Sequence, residues 1–243
     1  MQYILTILLS LCCLLTKAEM QLARILDKDG YSNVREGQGN AFKVVGIVRV
    51  GELFYCQPTT SDWWKVQGTR PLEGYLHKSR IQLIEQLDDS QQKALLQQVF
   101  SRQKRLATVF QQTRQEKSGK DAYQKARQEL ETHGDAYYEP MLWLFPRYFC
   151  RTTDKETLVL LFETIGSDQG SASEAPAFAL GKSYSCQSEL LLQQLSQQSG
   201  KQLESILSDL EWGVRNEFDV ADDGTSADKR YLDYKQKLEK IKK

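Results

Sequence analysis

Apolar residues follow three different spacings along this chain. From Tyr3 to Leu15 they form one run broken only by Thr6 and Ser10. From about residue 20 to 85 they fall in short runs cut by Gly, Pro, Asn and Asp, the signature of strands and tight turns. From residue 88 they recur every three or four positions among Gln, Lys and Glu, the signature of helices.

The first run is too short for a membrane span, which takes ~20 residues. Thr16-Lys17-Ala18 follows, with small residues where a signal peptidase wants them, so residues 1–18 are expected to leave as a signal peptide. The run carries no Lys or Arg at its start, which departs from the usual pattern. Leu11 precedes Cys12 where a lipid-attachment motif wants Gly or Ala, so a lipoprotein reading is disfavoured.

The second stretch predicts about five strands, near Leu22–Leu26, Lys43–Val48, Leu53–Gln57, Trp63–Gln67 and Glu73–Leu76. So many short strands in so few residues cannot build a sandwich, but can close into a small barrel. Alternation puts Phe54 and Cys56 on one face. With Val66 facing the core, Trp64 shares its side and Trp63 points outward. An outward Trp63 is a ligand platform, a contact with the next domain, or a cap on an open barrel end.

The run Asp29-Gly30-Tyr31-Ser32-Asn33-Val34-Arg35-Glu36-Gly37 resembles the opening of a bacterial SH3-like domain. Val44-Val45-Gly46, Gly51-Glu52, Asp62-Trp63-Trp64-Lys65-Val66, Glu73-Gly74-Tyr75-Leu76-His77 and Ser79-Arg80-Ile81 follow in that family's order. Pro71-Leu72 departs from it, where a shorter and more polar turn is usual. The resemblance implies an SH3-like β-barrel over residues 19–86 that binds cell-wall peptide or a protein segment. The expected contact residues are Tyr31, Asn33, Arg35, Trp63 and Tyr75.

Residues 87–243 read as an all-α stack of helical hairpins, so the fold class is two-domain, β then α. Asp88-Asp89-Ser90-Gln91 caps a long helix whose expected face is Leu95, Leu96, Val99, Leu106, Val109 and Phe110. A second helix, near Asp121–Thr132, is expected to stop at His133-Gly134, with His133 as a solvated cap. A third runs from Asp135 to Cys150, and Pro146 is expected to kink or break it. Thr153-x-x-Glu156, Ser171-x-x-Glu174 and Ser199-x-x-Gln202 have the capping-box form. They predict helices near Asp154–Ile165, Ser173–Tyr184 and Lys201–Glu217, with another at Ser188–Gln198. In the tail, Tyr231, Tyr234, Leu238 and Ile241 share one helical face among lysines. Such a helix either packs on its own domain or lies on a membrane surface.

Charge adds little. The whole chain carries 32 basic and 32 acidic residues, and losing Lys17 leaves a net of −1. Nothing in that balance points to nucleic acid or a firm membrane anchor. Cysteine matters more. Beyond the leader stand Cys56, in a strand, and Cys150 and Cys186, in the helical part. In an oxidising periplasmic or extracellular space the last two can pair; the alternative is two separate buried thiols.

A search for chemistry finds no catalytic constellation. His77 and His133 are the only histidines, and both precede Cys150 and Cys186. Cell-wall peptidases that accompany SH3-like domains place the Cys before the His. No metal-ligand spacing, phosphate loop or nucleophile elbow occurs, so neither metal nor cofactor is expected. The carboxylate pairs Glu129/Glu131, Asp154/Glu156 and Asp222/Asp223 read as solvated faces. Gly166 to Ser173 is an unusual loop that could hold an anion, or simply join two helices. The leading expectation is an exported, non-enzymatic binding protein whose partner is a peptidoglycan peptide or a protein. Alternatives are a helical inhibitor or immunity-type protein, and a hydrolase of unrecognised type.

Overall fold

The structure, a computed structural model, describes residues 19–68, 71–116, 119–167, 173–221 and 228–241. The leader, the centre of the Gly166–Ser173 loop, Ser171 of one expected cap and the Asp222/Asp223 pair lie outside the described residues. The chain divides into two compact units between Gln86 and Leu87.

The first unit is a curled antiparallel sheet, a half-barrel. Its strands are β1 Gln21–Ile25, β2 Tyr31–Arg35, β3 Val44–Arg49, β4 Leu53–Gln57, β5 Trp63–Gly68, β6 Glu73–His77 and β7 Ile81–Leu83. Their spatial order is β3-β2-β6-β5-β4-β1-β7. The expected closed barrel is therefore corrected: the ladder leaves β3 and β7 as edges. Two strands escaped the sequence reading. β2 is interrupted by polar Ser32 and Asn33, and β7 is only three residues long, too short for alternation to register.

The concave side holds the core. Ala23, Ile25, Val34, Val48, Phe54, Cys56, Val66, Leu76 and Leu83 are buried there, and Trp64 and Leu72 pack against them. Burying each large member contributes roughly 1.5–3 kcal/mol. Gly74 is required by the curl. A methyl at its Cα would stand 2.7 Å from Val34 Cγ1 and 2.5 Å from the Arg35 carbonyl oxygen. Pro71-Leu72, the departure from the family pattern, is compatible with the hairpin. Gly68 N–H donates to the Leu72 carbonyl at 2.8 Å, and the Leu72 side chain reaches the core.

The second unit is helical: α1 Asp89–Gln115, α2 Lys120–His133, α3 Glu139–Thr152, α4 Lys155–Ser167, α5 Ala175–Leu195, α6 Gly200–Glu217 and α7 Lys229–Ile241. α1 packs on α2 and α4, α5 on α3 and α6, and α7 on α5. The core combines leucines with stacked aromatics, and Phe100, Phe145, Phe149 and Phe162 are all buried.

Several helical expectations need correction. The buried stripe of α1 is Gln92, Leu96, Val99, Phe100, Gln103 and Ala107, whereas Val109 is exposed. Two glutamines occupy core positions because each has a polar partner. Gln92 donates to the Leu87 carbonyl at 2.9 Å, and Gln103 meets His133 Nδ1 at 2.7 Å. His133 is thus no solvated cap. It is buried, and the chain runs on through a π-helical turn, Gly134–Tyr138, into α3. Nor does Pro146 break α3, which continues through it to Thr152. Pro146 and its neighbours Phe145 and Phe149 are buried, and this packing offsets the missing N–H donor.

Caps differ too. Asp88 and Gln91 form the reciprocal capping box. Thr153, however, is in the left-handed region at φ 53° and closes α3. Asp154 caps α4, accepting from the Glu156 N–H at 3.1 Å. Ser199 precedes α6 without a side-chain cap bond. The two helices expected at Ser173–Tyr184 and Ser188–Gln198 are joined as α5, with a local break at Gln187 (φ −138°, ψ 50°). Cys186 lies just before that break. It is disulfide-bonded to Cys150 near the end of α3, with a Cα–Cα distance of 5.8 Å.

The tail helix is committed to its own unit. Tyr231, Tyr234 and Leu238 are buried, and the Tyr231 and Tyr234 hydroxyls donate to Glu211 at 3.0 and 3.2 Å. Its apolar face is therefore occupied by protein. Among the described residues, no helix is long and apolar enough to cross a membrane.

Candidate ligand-binding face of the β unit

Strand alternation sorts the expected contact residues by side. Ser32 and Val34 of β2 point into the core, so Tyr31, Asn33 and Arg35 stand on the opposite, convex side. On β5, buried Val66 fixes Trp63 and Lys65 to that same side. On β6, Gly74 and Leu76 are buried and Tyr75 and His77 face out. The ladder makes Arg35, Tyr75 and Lys65 direct neighbours across β2, β6 and β5. Trp63 is paired with His77 one row along. All five expected residues thus share one face of β2, β6 and β5.

Their environments differ. Tyr31 is 47% exposed and Asn33 is exposed, whereas Arg35, Tyr75 and Trp63 are half-buried. The Trp63 ring meets the His77 ring edge-on, with centroids 5.4 Å apart. That contact fixes the indole while leaving part of it open. His77 is itself held, because its Nδ1 lies 2.8 Å from Ser79 Oγ and accepts from the Ser79 N–H at 3.3 Å. Trp64 faces the other way, its Nε1 donating to the Thr59 and Ser61 carbonyls, each at 3.1 Å.

Two loops border the face. Arg35 Nη1 donates to the Phe42 carbonyl at 2.8 Å, tying residues 36–43 to β2. Ser61 Oγ donates to Gln38 Oε1 at 3.1 Å and accepts from the Trp63 N–H at 3.2 Å, joining that loop to residues 58–62. Phe42, 48% exposed and lying over Gly37, is a further aromatic that the sequence reading passed over. The signal was available, since it is the one large apolar side chain in a Gly-, Gln- and Asn-rich turn. Lys65, ion-paired with Glu73, adds a cation to the row.

Several of the titratable side chains singled out in the sequence have structural partners. Burial pushes the Cys56 thiol up to about 12. His77 braces Trp63, and His133 is buried against Gln103 in the other unit. Asp154 and Glu156 both hold Lys93, and Glu131 pairs with Arg127. Among the described residues no group of three His, Cys, Asp or Glu side chains could hold a metal ion. No family model, curated protein or solved structure matches the chain.

Proposed function

We propose that this is an exported, non-enzymatic binding protein. In this reading the leader is removed after Ala18, and the β unit is an SH3-like module of the periplasm or cell surface. Its convex face holds a peptide, either a cell-wall stem peptide or an extended protein segment, and the helical unit docks a partner. The observation that carries the reading is the convergence of Tyr31, Asn33, Arg35, Trp63 and Tyr75 on one side of β2, β5 and β6. Rigid aromatics beside a cation and an amide suit a peptide, because they bury apolar side chains while leaving groups to hydrogen-bond its backbone.

The test uses the whole exported chain, incubated with purified peptidoglycan sacculi and, in parallel, with an envelope protein extract. The parent should sediment with sacculi or retain a partner. Trp63→Ala should weaken that binding by ~2 kcal/mol or more, the loss expected of an aromatic anchor. A variant that binds as well as the parent would remove the face from consideration.

A further inference from the structure

The helical unit carries a cleft that the reading above leaves unused. Its volume is about 850 Å³, within the span of ~300–1,000 Å³ usual for ligand sites. The π-helical turn and the start of α3 line one side through Asp135, Glu139 and Trp143. α2 lines another through Tyr123 and Arg127, and Glu174, just before α5, also lines it.

Three observations together specify an occupant. The walls are aromatic and held in place: Tyr123 packs on Phe110 with centroids 5.3 Å apart, and Trp143 on Phe178 at 4.2 Å. Trp143 nonetheless stays 43% exposed, an unusual state for an indole fixed by a neighbour. The charge is lopsided. Among the described residues lining it, the acidic ones are Glu131, Asp135, Glu139 and Glu174 and the basic ones Arg114 and Arg127, and Arg127 is already taken by Glu131 at 2.7 Å. The backbone here is also irregular. Glu139 N–H donates to the Gly134 carbonyl, a one-residue expansion of the helix of a kind that recurs at functional sites.

We propose that this cleft binds a positively charged peptide segment. A lysine or arginine side chain sits among Asp135, Glu139 and Glu174, and an adjoining apolar side chain lies on Trp143. Carboxylates supply charge-assisted hydrogen bonds to such a cation, and an indole face attracts it through the ring quadrupole. An anionic ligand would find one unengaged guanidinium against three carboxylates. The site is independent of the convex face of the β unit and does not rest on that reading.

The full chain, immobilised, is panned against a random nonapeptide library beside two variants. One is Asp135→Asn/Glu139→Gln/Glu174→Gln and the other Trp63→Ala; a third, Trp143→Ala, is panned alongside, and all three are checked for parental circular dichroism. Peptides with Lys or Arg next to an apolar residue should be enriched about tenfold or more on the parent over the triple variant, equivalent to ~1.4 kcal/mol. The same peptides should be retained by Trp63→Ala, and Trp143→Ala should lose them. Absence of such enrichment, enrichment of acidic peptides, or retention of the basic peptides by the triple variant overturns the proposal. Recovery of single-residue amine binding without a peptide requirement also overturns it, in favour of a small-molecule site.

Discussion

His133 illustrates how a single side chain can set the acid limit of the fold. Burial, aided by Arg102 and Arg105, lowers its pKa from 6.5 to about 4. A histidine whose folded pKa is depressed is neutral in the native state. Its contribution is present above pH 6.5 and is lost as pH falls towards 4, because only the unfolded chain takes up the proton in that window. The loss by pH 4 should be on the order of 3 kcal/mol. Urea titrations at pH 7 and pH 4 should show it, and His133→Gln should flatten the difference. Asp154 behaves differently. Burial alone would raise its pKa, but hydrogen bonds from Tyr148, Thr157 and Lys93 outweigh that and hold it below the usual carboxylate range. Lys93 is the partner that sequence does not reveal, since it stands on α1, 61 residues before Asp154. The side taken by the expected contact residues was more legible: Tyr31, Asn33, Arg35, Trp63 and Tyr75 stand two residues apart or across a ladder, where a period of two decides the side.

At the scale of elements, periodicity located β4, β5 and β6, with β6 alternating most cleanly. It failed where polar residues are buried or turns are irregular. Gln92, Gln103 and His133 read as surface, so the helix face was displaced and the π-helical turn was taken for an end. The close crossing of α5 and α6 was also out of reach. Gly181 and Gly213 face each other there, and a methyl on Gly213 would fall inside the van der Waals envelope of the Ala177 carbonyl. Gly213→Ala should therefore cost ~1–3 kcal/mol or more through overpacking, seen as a lower Tm without loss of helical signal at low temperature. The Cys150–Cys186 bond closes a loop of 36 residues around α4. In the chain-entropy description such a link contributes roughly 3–4 kcal/mol. Peptide mapping of the non-reduced protein should recover the linked pair. Reduction, or Cys150→Ser/Cys186→Ser, should lower stability by about that amount; two free thiols in exported material would contradict the bond.

At the scale of the molecule, the division at Gln86/Leu87 separates two cores, one rich in valine and isoleucine, the other in leucine and aromatic residues. Each has its own buried set, so a chain beginning at Leu87 should keep its helical circular dichroism and its disulfide. A random-coil spectrum for that fragment would show that the units depend on each other. The composition change near residue 86 was readable because one period gives way to another. β1 has a consequence of a different order. It pairs with β4 and also with β7, whose residues Ile81–Leu83 come at the far end of the unit. β1 can thus complete its pairing only once β7 is in place. Pairing over so long a stretch of chain is slow, so folding yield rather than final stability should be what substitutions in Gln21–Ile25 change most.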